Sequence, residues 1–461
     1  MGVNDISFVK NQMLMIIKKY FMPSTAVLVI LLSLFISKVS AQDSVKNLTL
    51  NEAIESTLKN NRGILLVKLD ENIAAANYKQ TEAIFLPQVG LSYTAMSTNN
   101  PLNAFGFKLQ QSIISQNDFN PALLNNPHST TDFMTKLEVQ QPLINMDMLY
   151  MRKGAKKLME VYQYKTQRTR EYLTYEVQKA YLQLQLSYEA VRVLNDALQT
   201  IKVVYNFTDN HFKQGLIQKS DLLNTQVQVT TVESNLAKAQ SNVRNASDYL
   251  SIIMGNKIGV VYKADNLLTT SELSADTTQK LSLTRSDFVA MQKAIDASDL
   301  MIKSSKMSYL PKLNAFGNYQ YNDNHIAGFG ANAYLVGTSL SWDIFKGNRT
   351  KNTIIIQKLE KDKLVEQLAQ QKDQSQLELN KAYRDLADTR FEINQEKAAV
   401  EQAAESLRIL QNRYQQGLLN TTDILMAQSQ LLQQRFALVQ AQFTYHVTVS
   451  YIQLLTSKTN K

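Results

Sequence analysis

One phrase of this chain is written twice, and the repetition constrains the fold more than any other feature. Phe212-Lys213-Gln214-Gly215-Leu216 returns 202 residues later as Tyr414-Gln415-Gln416-Gly417-Leu418. Six residues after each glycine stands an aspartate, Asp221 and Asp423, followed by Leu222-Leu223 and Ile424-Leu425. Lys179-Ala180-Tyr181 returns at the same offset as Lys381-Ala382-Tyr383. A further pair, Leu86-Pro87 and Leu310-Pro311, is offset by 224, so the first copy carries 22 extra residues ahead of its long helix. A repeat of this size means two equivalent structural units in one chain.

Each copy reads as a helix, a pair of strands, a very long helix, a break at the glycine and a second long helix. The opening helices fall near 51–82 and 285–306. In the long helices Val177, Leu184, Val191, Leu198, Tyr205 and Phe212 recur every seven residues, as do Leu379, Leu386, Ile393, Val400, Leu407 and Tyr414. Ala180, Leu194 and Ile201 fill the other seam of the first copy, and Ala382, Ala403 and Leu410 that of the second. A seven-residue apolar period keeps one face toward a partner helix in a left-handed supercoil. Breakers are scarce enough to allow such lengths: Gly 14 and Pro 7 among 461 residues, about 5% against an average of roughly 12%.

The strands carry period two. Tyr334, Val336, Thr338, Leu340, Trp342 and Ile344 alternate with smaller or polar residues; Phe133, Thr135, Leu137 and Val139 do the same, as do Val89, Leu91 and Tyr93. After Pro311 the alternation is less clean, with Leu313, Ala315 and Gly317 opposite Asn314, Phe316 and Asn318. Such alternation fits a half-buried soluble strand or a membrane β-strand with aromatics near its ends. Four strands cannot close in lipid, where open edges are not tolerated and the smallest barrels have about eight. Membrane strands here therefore require several chains to share one barrel.

The first forty residues read as an address. Lys18 and Lys19 precede the 11-residue apolar run from Ala26 to Ile36, and Val39-Ser40-Ala41 offers small residues before a cut at Gln42. This is a secretory leader, too short in its apolar core to span about 30 Å of hydrocarbon. The leader holds Lys10, Lys18, Lys19 and Lys38 against Asp5, so its removal lowers the net charge from +9 to +6. Charges alternate in sign along the chain, which argues against a nucleic-acid partner. Cysteine is absent, excluding disulfides, thiolate metal sites and a lipidated cysteine. His128, His211, His325 and His446 are scattered and give no metal site. No phosphate-binding loop, His-Glu-x-x-His or Gly-x-Ser-x-Gly is present. The reading is of a non-enzyme without cofactor.

The doubled Leu-Pro before a strand, the doubled Gly-Leu turn with its later aspartate and the doubled Lys-Ala-Tyr resemble the TolC-like outer-membrane efflux protein family, over about 48–457. The resemblance implies a mainly α chain with membrane β: two repeats, each a strand pair plus a coiled-coil hairpin, forming a homotrimer with a twelve-stranded barrel continued by a periplasmic α-barrel. Its boundaries would be a signal peptide at 1–41 and a first repeat at 42–255, with strands about 84–98 and 131–145 and a hairpin about 148–254. An equatorial linker follows at 256–284, then a second repeat at 285–461, with strands about 310–321 and 333–346 and a hairpin about 348–457. The implied function is a passive exit duct of a tripartite efflux pump. A periplasmic adaptor would dock at the hairpin turns, Gly215, Leu216, Gly417 and Leu418, and through it an inner-membrane transporter. Ser220, Asp221, Tyr414, Thr422 and Asp423 would lie at the tip constriction.

Each of these residues also has a plainer reading. The glycines end helices in a left-handed conformation. Leu216 and Leu418 pack within the turn, or dock. Ser220 and Thr422 read as N-caps with an acid in the first turn; Asp423, repeated by symmetry, would ring the tip and favour cations. Where some members of the family close the tip with an arginine, this chain has Leu419. Type I protein secretion remains open as the duct's task, and an exported coiled-coil scaffold or adhesin as a different class. The extra residues near 99–131 contain Asn-Asn-Pro twice and lie on the side away from the helices, which places them at the cell surface.

Overall fold

The computed structural model describes residues 45–265 and 279–458; the leader falls outside them, as does the middle of the linker. In chain order the elements are β1 (Val45–Leu48), α1 (Leu50–Asn60), α2 (Arg62–Gln80), β2 (Gln88–Thr98), α3 (Pro101–Gln110), α4 (Pro121–Asn125), β3 (Thr130–Ile144), α5 (Met146–Lys213), α6 (Lys219–Ile253), β4 (Val261–Ala264), α7 (Ser286–Met307), β5 (Lys312–Asp323), β6 (Ala331–Ser341), α8 (Arg349–Gln415) and α9 (Thr421–Thr456). Among the described residues no helix is long and apolar enough to cross a membrane.

The long helices set the shape. α5 has 68 residues and α8 has 67, about 100 Å each at a rise of ~1.5 Å per residue. Their return helices, α6 and α9, have 35 and 36. A return helix therefore covers only half of its partner. The other half of α5 packs against α2 and α7, and that of α8 against α7. At Gly154 on α5 a Cβ would stand 3.1 Å from Met301 Cε, so glycine lets α7 come close. The seven-residue stripe forms the seam: Val177, Leu184, Leu379, Leu386, Ile393 and Leu407 are buried.

The first helix is not continuous. Asn61 splits the expected 51–82 helix into α1 and α2. Its Nδ2 donates to the Ile253 carbonyl at 2.7 Å, and its Oδ1 accepts from the N–H groups of Gly63 and Ile64. One side chain thus ties the break to the end of α6 and caps α2. The chain leaves α6 through Gly255 at φ +71, where a Cβ would strike the Asn60 carbonyl at 2.3 Å.

A clasp joins the chain start to the linker. β1 pairs in parallel with β4, Val45 opposite Val261. The fully buried Tyr181, of the repeated Lys-Ala-Tyr, donates its hydroxyl to Leu48 O at 2.8 Å and accepts from Asp265 N–H at 3.0 Å. Buried tyrosine is stable only where its hydroxyl finds such partners.

The four-stranded sheet has the order β2-β3-β5-β6, all antiparallel. Register sorts its residues into two faces. Leu91, Leu137, Tyr319 and Tyr334 form one cross-strand row; Val89, Val139, Gly317 and Val336 form the next. The opposite face carries Ser92, Lys136 and Gln320 in one row and Gly90, Glu138, Asn318 and Leu335 in another. The weak alternation after Pro311 is thereby resolved, with Leu313, Ala315 and Gly317 on the apolar face. Phe316, like Leu335 and Met134, is an apolar side chain on the polar face, and its ring lies over Gly337. The last strand stops at Ser341; Trp342 leaves the ladder and donates its indole N–H to Tyr309 O at 2.9 Å. Among the described residues nothing pairs with the far edges of the outer strands, β2 and β6. Leu91, Tyr334, Val336 and Leu340 on the apolar face are exposed.

Candidate functional site: the helical tip

Each long helix ends on a glycine at φ +71 (Gly215) or +73 (Gly417). Gly215 N–H donates to Phe212 O at 2.9 Å and Leu216 N–H to His211 O at 3.0 Å; Gly417 N–H donates to Tyr414 O and Leu418 N–H to Arg413 O, both at 3.0 Å. This pair of reverse bonds is the Schellman C-cap, which needs a left-handed residue. A Cβ at either glycine would meet nothing within 4 Å, so backbone conformation and not space selects glycine. The cap leaves the two following leucines outside the fold: Leu216 is 64% exposed and Leu418 62%.

The return helices start one residue before Ser220 and Thr422, at Lys219 and Thr421. Their N-caps are Gln218 and Asn420, and neither side chain accepts a backbone N–H of the first turn. The N-cap reading of Ser220 and Thr422 is corrected: both sit inside the first turn and are exposed, and Ser220 Oγ donates to Gln218 Oε1 at 3.3 Å. Asp221 and Asp423 do lie in the first turn, where the helix dipole favours a carboxylate. Asp423 is exposed and Asp221 half-buried.

Tyr414 is placed differently from the other constriction residues. It is buried, its hydroxyl 2.8 Å from Thr208 Oγ1 and 3.0 Å from Thr421 Oγ1. Phe207 packs between its ring and that of His211, at 5.0 and 4.1 Å. Leu419 turns inward as well, against the cluster of Ile201, Val204, Leu407, Tyr414, Ile424 and Leu431. Where an arginine would present charge, this chain adds an apolar side chain to the core of the tip. Thr208 and Thr421 are the residues that sequence reasoning missed. The only trace of them was a buried heptad position occupied by an aromatic with a polar end.

Charge is concentrated instead at the base of α7. Arg285, buried over the Phe288 ring at 4.2 Å, donates to both oxygens of Asp287 at 2.7 and 2.8 Å and to Ser375 Oγ at 2.7 Å. Burial pushes the Asp287 carboxyl up, but its bonds to Arg285, the charges of Arg285 and Arg168 and the Phe288 N–H together outweigh that and hold it below the usual range. Among the described residues no group of His, Asp and Glu is arranged to hold a metal.

The profile of the family described as "Outer membrane efflux protein" matches residues 53–256 and 278–457. The chain belongs to this family. Among curated members it is 19% identical to the probable outer membrane lipoprotein SilC of Salmonella typhimurium, over 62% of this chain and 63% of that one. It is 20% identical to the cation efflux system protein CusC of Escherichia coli O157:H7, over 83% and 80%. The match thus spans just under two thirds of SilC. The solved CmeC outer membrane channel of Campylobacter jejuni superposes with a TM-score of 0.76 at 18% identity, covering 88% of this chain and 85% of that one. VceC of Vibrio cholerae gives 0.71 at 19% identity, over 89% and 96%. At these identities the likeness is one of fold, that of the TolC-like channels. The family match places the protein in the outer membrane.

Proposed function

We propose that the chain is the passive exit duct of a tripartite efflux pump, working as a homotrimer. The supporting observation is the sheet: four strands, two unpaired edges and an exposed apolar face. In lipid such edges must be joined, and three chains of four strands each make a twelve-stranded barrel, β2 of one copy beside β6 of the next. The polar face then lines the lumen. Continuing from each sheet, α5, α6, α8 and α9 form a periplasmic tube about 100 Å long, with the linker and chain ends around its equator. Its far end is the tip, where Leu216 and Leu418 offer an adaptor exposed apolar contacts beside each glycine turn. An inner-membrane transporter bound through that adaptor supplies the energy and selects the cargo. CusC is by name a cation efflux protein, so a metal cation is the first cargo to test, before other small molecules. The sequence has no cysteine to carry a lipid.

Mass determination of the detergent-extracted protein tests the assembly. Three copies per particle are expected, with single-channel conductance in a planar bilayer. A monodisperse monomer stable without detergent would overturn the barrel and favour an exported scaffold.

A further inference from the structure

The connection between β2 and β3 is folded. Asn100 and Asn120 cap α3 and α4, each with a proline at the first helical position. Lys108 is paired with Asp118 at 2.6 Å, and Phe105 packs edge-on to Phe119 at 5.7 Å. This unit is fastened to one particular side of the sheet. Gln111 Nε2 donates to Asp132 Oδ1 at 2.9 Å and to Thr131 O at 2.7 Å, while Asn322 Nδ2 donates to Asp132 Oδ2 at 2.9 Å. Asp132 and Asn322 stand two and four places along from Met134 and Lys136, and from Gln320 and Asn318, on the polar face. α3 also reaches β6, the outer strand.

Helix geometry then fixes what α3 shows to the other side. Ala104, Lys108 and Gln111 share one face; Ala104 and Gln111 are buried, and Gln111 bonds to β3. At about 100° per residue, Leu102 and Leu109 point roughly 150° away. Leu102 is 81% exposed and Leu109 54%. Two leucines thus project off the polar face, into the space that a closed barrel would enclose, at the end of the strands away from the long helices.

We propose that this apolar face is an interaction surface for the same helix of the other copies, and that α3 helices meeting at the axis close the outer mouth of the duct with a ring of leucines. The inference rests on the trimeric barrel: closure of β2 onto the neighbour's β6 brings every α3 around one axis, and α3 already lies over β6 at that seam. An apolar ring narrows a water-filled pore by dewetting, so the duct would have a second closure, independent of the tip.

Because the chain lacks cysteine, Leu102→Cys and Leu109→Cys introduce single thiols. Oxidation of intact cells should link copies through either position. Leu102→Gln with Leu109→Gln should leave the trimer intact, since both side chains are exposed in the protomer, and should raise single-channel conductance several-fold. If the wild-type trimer conducts, but the double glutamine variant leaves its conductance unchanged and neither cysteine variant links between copies, the mouth contact is overturned and the duct left standing. A wild-type protein that forms neither trimer nor pore refutes the duct, and the contact with it.

Discussion

Removing one oxygen from the tip should loosen it measurably. The Thr208 hydroxyl donates to Val204 O at 2.8 Å, so toward Tyr414 it must accept. The Tyr414 hydroxyl then donates to Thr208, and accepts from Thr421 at 3.0 Å. The order of protons is Thr421 to Tyr414 to Thr208 to the backbone, and all three side chains are buried. Tyr414→Phe leaves the ring and its packing on Phe207 but strands the Thr421 hydroxyl without an acceptor. A buried unsatisfied donor costs about 1–3 kcal/mol, and tenfold in an opening equilibrium corresponds to about 1.4 kcal/mol. Local opening of 205–216 and 413–423 should therefore become roughly tenfold more frequent, read as faster amide hydrogen exchange there and not at the equator. Adding Thr421→Val removes the stranded donor and should restore most of the lost protection. If the two substitutions instead weaken protection independently and additively, the proton chain is wrong and Tyr414 acts through packing alone.

Leu216→Asp with Leu418→Asp should assemble normally yet lose export, because a carboxylate desolvated in an apolar contact costs several kcal/mol; export undiminished in cells would show that the turns are only turns. Asp423→Asn should keep export and relieve any block of single-channel current by multivalent cations, whereas an unchanged block places the cation site elsewhere. Asp118 is held down to about 2 by Lys108, by the Ser115 N–H and by the Ser115 hydroxyl. Its folded pKa lies below the unfolded value of about 3.9, so its contribution is complete above that value and lost as the pH falls toward the folded one. A spin label on Asn125→Cys should keep constant mobility from neutral pH to about 4 and loosen only as pH nears 2. Lys108→Gln should move that onset up toward the ordinary carboxylate range, and an unmoved onset would dismiss the pair.

The periodic parts of the chain were legible because periodicity is set by burial over many residues. The seven-residue seam, the paired glycine turns and three of the four strands needed no single residue to be decisive. The misses were single side chains with two roles. Asn61 sits in an unbroken helical pattern and breaks it only because the Ile253 carbonyl, far away in sequence, takes its amide. Asn100-Pro101 and Asn120-Pro121 read as loop, yet the same pair starts a helix when the asparagine oxygen takes a backbone N–H of the first turn. Ser220 is a better cap residue than Gln218, and Thr422 is a serviceable one beside Asn420, but the Schellman turn fixes where the return helix begins. Tyr414 could be assigned to the tip from its place beside Gly417. That its hydroxyl faces inward depends on Thr208, 206 positions away.

The β1–β4 clasp bears on the order of folding. A chain exported from its N-terminus presents β1 first, yet β1 has no partner until the linker arrives. Contacts between ends so distant are slow to form, since loop closure precedes any gain from pairing. Until then the Tyr181 hydroxyl lacks both the backbone acceptor and the donor that it holds in the folded chain. Once β4 has emerged, β1, Tyr181 and α6 lock together without needing any residue of the second copy. The clasp is thus closed within the first copy, while β3 still waits for β5 and part of α5 for α7. Export therefore sets an order on the chain: the clasp closes first, and the open sheet and the uncovered half of α5 are completed only when α7 and the second strand pair follow.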